Sequence, residues 1–125
     1  MMNKTRPKHL ALHKIKLPLP GFVSILHRAS GMFLFFSLPL LLWMLQASLR
    51  SIETYTQLQG VLQHSFSKLL MLGLLWAFLH HFCAGIRYLA LDLHLGSSLA
   101  RARTSSGWVM GVSLTLTALI GVWLC

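Results

Sequence analysis

Leu79-His80-His81-Phe82-Cys83-Ala84-Gly85-Ile86-Arg87-Tyr88-Leu89-Ala90-Leu91-Asp92 closes a run otherwise apolar enough to cross a membrane. Histidine, arginine and aspartate are expensive at membrane depth, so where they occur they face a partner, a cofactor or water. Two histidines in an apolar helix, then small residues, then an Arg/Asp edge, point to a buried cofactor held from one side. Helical spacing separates the two histidines. His81, Ala84, Gly85, Tyr88 and Asp92 follow i, i+3, i+4, i+7, i+11 and share one face. His80, Cys83 and Arg87 share another, about 100° away. At 1.5 Å per residue, His81 lies about 9 Å deeper than Arg87.

Working outward, three apolar segments of membrane-spanning length appear, at about 29–49, 66–92 and 106–125. The expected fold is therefore an all-α membrane protein, a single anchor domain over 1–125, with three transmembrane helices and a basic arm over 1–23. Pro39 inside the first span is tolerable in a membrane helix. Trp43, Trp108 and Trp123 sit where aromatic belts form. No segment reads as a signal peptide.

Charge sets the orientation. Eleven Lys and Arg stand against only Glu53 and Asp92. In a soluble protein that excess would suggest nucleic acid; among spans it reads as the positive-inside rule and attraction to anionic lipid, so no nucleic-acid partner is expected. Lys4, Arg6, Lys8, Lys14, Lys16 and Arg28 precede or enter the first span, and Arg87, Arg101 and Arg103 cluster between the second and third. The N-terminus and second loop are therefore expected on the cytoplasmic side, which lets Ser24-Ile25-Leu26-His27-Arg28 meet the 81–92 stretch in space.

The chemistry narrows next. Cys83 and Cys125 have no CxxC spacing, so no disulfide framework, zinc site or iron–sulfur site is signalled. Cys83 reads as a packing residue. Haem iron is a common reason for a membrane-depth histidine. His80 and His81 point apart and cannot bind one iron, and His64 lies towards the opposite membrane face. The second axial ligand must come from another subunit, or the site is not haem. On position alone Ser24 also reads as a helix N-cap, Arg28 as a snorkelling arginine, Gly85 as a close-packing residue, and Arg87 with Asp92 as an end-of-helix ion pair.

The pair Ser24-Ile25-Leu26-His27-Arg28-Ala29-Ser30-Gly31 and His81-Phe82-Cys83-Ala84-Gly85-Ile86-Arg87-Tyr88 with Asp92 resembles the cytochrome b subunits of succinate dehydrogenase, with their SxxHRxxG and HxxxGxRHxxxD elements. Arg6-Pro7 and Lys16-Leu17-Pro18 resemble that family's N-terminal arm. The resemblance covers essentially the whole chain. It implies a haem b shared with a second small anchor subunit, with His81 as axial iron ligand. It implies that His27, Arg28 and Tyr88 contact the haem propionates and that Ser24 and Arg28 line a ubiquinone site. Where this chain has Tyr88 the family often has histidine; tyrosine can donate a hydrogen bond to a propionate but carries no positive charge. Flavoprotein and iron–sulfur subunits are the implied partners, the bacterial inner membrane the implied location. No nucleotide loop, carboxylate pair or nucleophile triad is present, so no catalytic residue is expected on this chain. Two other classes stay open: a haem-free structural anchor, and a small transporter in which His80 and His81 bind protons or cations.

Overall fold

The structure, a computed structural model, describes residues 18–125. Arg6, Pro7, Lys16 and the rest of the arm up to Leu17 lie outside the described residues. Four helices run in order: α1 (Leu19–Arg50), α2 (Ile52–Leu62), α3 (Ser65–Asp92) and α4 (Leu99–Leu124), with no strand among the described residues. α1, α3 and α4 are each long and apolar enough to cross a membrane. Helices satisfy their own backbone polar groups, which lipid cannot do.

α1 begins well before its apolar core. Pro18 holds the N-cap position and Pro20 falls in the first turn, where a missing N–H costs nothing. Residues 19–23, read from sequence as arm, are thus helical. Ser24 lies inside α1 and is no N-cap. The helix continues through Pro39 to Arg50.

α2 fills the connection between the first two apolar spans. Ser51 turns extended, with φ −160° and ψ 163°. Its Oγ accepts from Thr54 N–H at 3.1 Å, while Thr54 Oγ1 accepts from Ser51 N–H at 3.2 Å. Such reciprocal capping satisfies two otherwise orphaned donors. Thr54 Oγ1 also donates to the Ala47 carbonyl at 2.7 Å, tying α2 back to α1. The α3–α4 turn uses left-handed backbone at His94 (φ 59°) and Gly96 (φ 68°). Ser98 then caps α4 by accepting from Arg101 N–H.

α3 is the central helix, packed against both α1 and α4. Its buried residues are Leu74, Ala77, His80, Ala84 and Arg87. Val23, Ala84 and Val109 form the three-helix core, with Cys83, Tyr88 and Met110 packed on it. Ala84 therefore serves the core, contrary to the expectation that it flanks His81. Small residues let helices approach where lipid gives no hydrophobic drive. The buried hydroxyls of α4 stay satisfied within their own helix: Ser106 donates to Ala102, Ser113 to Met110 and Thr117 to Ser113.

Arg87 departs from the sequence expectation too. It forms no ion pair with Asp92, which is exposed and lies about 140° further round the helix. Instead it turns inward, Nε donating to Ser105 Oγ at 2.9 Å and Nη2 to the Ala102 carbonyl at 3.4 Å. Its guanidinium sits 5.3 Å from the Tyr88 ring centre, a cation–π contact. A buried cation held only by neutral acceptors makes each acceptor count. Ser105→Ala should lower the thermal stability of the purified protein in detergent by about 1 kcal/mol, the scale of interhelical hydrogen bonds in membranes. An unchanged melting curve would show that this contact holds nothing.

Candidate cofactor site at the crossing of α1 and α3

The His27, Ser30 and Gly31 positions of α1 meet the His81, Gly85 and Tyr88 positions of α3. A Cβ built on Gly31 would sit 2.8 Å from His81 Cε1 and 3.2 Å from Nδ1. Only glycine allows α1 to pass so close to the imidazole. His81 Nδ1 then lies 3.1 Å from the His27 carbonyl and 3.3 Å from Ser30 Oγ. A carbonyl can only accept, so Nδ1 donates, and in the neutral ring Nε2 keeps the lone pair. Ser30, buried, donates its own proton to the same carbonyl at 2.9 Å. Nε2 makes no hydrogen bond among the described residues.

This is the tautomer a metal-binding histidine needs, with the far nitrogen bonded and the near one free. It also sets His81 apart from its neighbour. His80 is fully buried, stacks on Trp76 with ring centres 5.1 Å apart, and makes no hydrogen bond at either nitrogen.

His27 lies face to face with His81, ring centres 4.3 Å apart and planes within 7°. Its Nε2 is 3.9 Å from where a Gly85 Cβ would stand, and its ring is tilted against Tyr88 at 5.1 Å. A side chain at Gly85 would meet His27 only in ordinary van der Waals contact, whereas Gly31 is what leaves room for His81. Ring lone pairs lie in the ring plane, so two stacked imidazoles cannot aim at one atom between them. Tyr88 Oη is enclosed and has no partner, a donor available to an acceptor.

The two remaining candidate positions stand aside. Ser24 is half-buried and Arg28 exposed, one turn apart on the flank of α1. Neither side chain makes a hydrogen bond, and Arg28 forms no ion pair among the described residues. Ser30 and Gly31 were given no role in the sequence reading. Their signal was available: both fall three to four residues after His27, on the face turned to α3. No group of three or more His, Cys, Asp or Glu gathers among the described residues.

Three membrane-long helices with an imidazole pair at one crossing define a multi-pass membrane protein with a candidate prosthetic-group site. The chain matches, over residues 2–120, the family described as succinate dehydrogenase/fumarate reductase transmembrane subunit, and it belongs to that family. It is similar to the protein named succinate dehydrogenase cytochrome b556 subunit of Coxiella burnetii, 39% identical over 98% of this chain and 99% of that one. It is similar to proteins of the same name from Rickettsia felis, 33% identical over 91% of this chain and 87% of the relative, and Paracoccus denitrificans, 29% identical over 91% and 88%.

Gly31→Ala tests the geometry directly. The added methyl must push the His81 ring aside, at the cost of its bond to the His27 carbonyl. Imidazole ¹⁵N spectra should show one Nδ1-protonated histidine in the parent protein replaced by a tautomer mixture in the variant. An identical spectrum would show that Gly31 does not set the His81 tautomer.

Proposed function

We propose that this chain is the haem b-binding membrane anchor of a succinate dehydrogenase, with His81 Nε2 as one axial ligand of the iron. The observation that carries this reading is the His81 Nδ1 contact to the His27 carbonyl, which orients the ring and leaves Nε2 free. The residues present fit a haem in two respects: one imidazole oriented through its Nδ1, and an enclosed Tyr88 hydroxyl without a partner. The printed name of the relatives, cytochrome b556 subunit, supports a b-type haem. Bound there, haem b would supply a one-electron carrier.

The chain's own residues then take these roles. His81 holds the iron. His27, Arg28 and Tyr88 offset the buried negative charge of the propionates, Arg28 by charge and Tyr88 by hydrogen bonding alone. The stacking of His27 on His81 argues against a second ligand from this chain, so the other ligand belongs to a second small anchor subunit. The most apolar stretch of α1 buries none of its residues, against 22% for α3 and α4, which leaves a surface for such a partner or for lipid.

Ser24 and Arg28 form the chain's part of a ubiquinone site. Ser24 Oγ donates to a quinone carbonyl, and Arg28 stabilises the oxygen as negative charge builds on it. Their place at the start of α1 keeps them near the water that supplies protons. Succinate oxidation belongs to flavoprotein and iron–sulfur subunits docked at this end, which the loop charges set on the cytoplasmic side of a bacterial inner membrane.

Two outcomes check this reading. His81→Leu should remove or strongly alter the low-spin haem spectrum of the purified complex. His80→Leu should leave it largely unchanged, since an apolar side chain of similar size replaces an unbonded polar one. The reverse pattern would move the ligand to His80. Separately, Ser24→Ala and Arg28→Leu should each lower quinone reduction about tenfold or more, the order expected when a donor to a developing oxyanion is lost. Succinate oxidation with a soluble acceptor should persist. Equal loss of both activities in an assembled complex would remove Ser24 and Arg28 from the quinone site.

A further inference from the structure

The end of the bundle far from His81 holds a cleft that the proposed function does not use. It is a cavity of about 500 Å³ between the last turns of α1 and the length of α2. Trp43, Gln46, Ala47 and Arg50 line it from α1. Their spacing of i, i+3, i+4, i+7 makes them one helix face. Thr54, Gln57, Leu58 and Val61 line it from α2 at the same spacing. Two helix faces thus look at each other across a V whose apex is fixed. The Ser51–Thr54 capping pair and the Thr54 bond to Ala47 hold that apex.

The contents of the cleft are selective. Arg50 is the one charged side chain lining it, and among the described residues it makes no ion pair or hydrogen bond; Glu53, three residues on, forms no ion pair with it. The Gln46 and Gln57 amides are likewise unbonded among the described residues. Trp43, Leu58 and Val61 supply an apolar wall, Leu58 buried and Trp43 and Val61 exposed. α1 is about 48 Å long at helical rise, well over the roughly 30 Å hydrocarbon thickness. Its last turns, with a tryptophan of the interfacial kind, therefore stand at the headgroup level.

We propose that this cleft binds the headgroup of an anionic phospholipid. The phosphodiester would sit on the Arg50 guanidinium, whose planar fork suits phosphate oxygens. The Gln46 and Gln57 amides donate to the remaining headgroup oxygens. The glycerol and upper acyl chain lie along Trp43 and Val61 and run into the bilayer. A neutral quinone or a zwitterionic lipid would leave the one charge in the cleft without a net counter-charge. The lipid would also brace α2, which packs only lightly on α3.

The test uses the intact complex, delipidated in detergent and then titrated with phosphatidylglycerol, phosphatidylcholine or inorganic phosphate, with bound lipid counted by native mass spectrometry. Phosphatidylglycerol should bind more tightly than phosphatidylcholine, and inorganic phosphate should not displace it. Arg50→Gln should weaken phosphatidylglycerol about fivefold, the fold-change that one basic group near a charged membrane surface gives (about 1 kcal/mol). Lys68→Gln, which removes a cation near the same end of the bundle but outside the cleft, should leave binding unchanged. Equal binding of the two lipids, or equal weakening by both variants, would overturn the proposal. Displacement by phosphate would make this a general anion site and overturn the lipid assignment. Arg50 is exposed at a helix end, and the haem spectrum and mass of the complex report whether the variant is intact.

Discussion

The close approach of α1 to α3 at Gly31 is the constraint on which the site depends. Without a side chain at that position, the His81 ring lies against the α1 backbone and reaches the His27 carbonyl. That carbonyl is already an acceptor within its own helix, so the donors from outside the ladder share its remaining accepting capacity. Ser30 uses the same oxygen. One backbone atom of α1 thereby fixes a serine on its own helix and an imidazole on the next. The consequence is chemical as well as mechanical, because the contact decides which ring nitrogen carries the proton.

The interior elsewhere follows from the bilayer as solvent. Burying apolar side chains against each other gains little over burying them in lipid, so the helices meet through small residues and hydrogen bonds. Ala77 and Ala84 on α3 and Ser106, Val109 and Ser113 on α4 are buried, Ala84 clusters with Val109, and Arg87 bonds across to Ser105 and Ala102. The large apolar side chains point outward, among them Phe35, Phe36, Phe66 and Leu119. A chain whose interior mixes small apolar with polar side chains and whose large apolar side chains point outward is built to sit among lipids and other membrane helices. Its membership of the succinate dehydrogenase/fumarate reductase transmembrane family agrees with that arrangement.

The three long helices were legible because uninterrupted apolar runs of this length have few other solutions. The separation of His80 from His81 was legible from helical spacing, and so was the meeting of the 24–31 and 81–92 segments once loop charge set their common side. What escaped was decided by packing. Ala84 reads equally well beside His81 or in the core, and only the position of α4 decides it. Arg87 reads as a partner for Asp92 until α4 supplies Ser105 and Ala102. α2 is too polar to register as a span, though Ser51 and Thr54 carry its capping signal. Gly31 and Ser30 could be read as part of a motif, but their work depends on how near another helix comes.

The central claim concerns one nitrogen atom, and an experimental structure of the assembled complex tests it most directly. The account predicts iron bound to His81 Nε2, with His81 Nδ1 still within hydrogen-bond distance of the His27 carbonyl and no ligand from His80. Iron on His80, or a His81 ring turned so that Nε2 meets the His27 carbonyl, would contradict it.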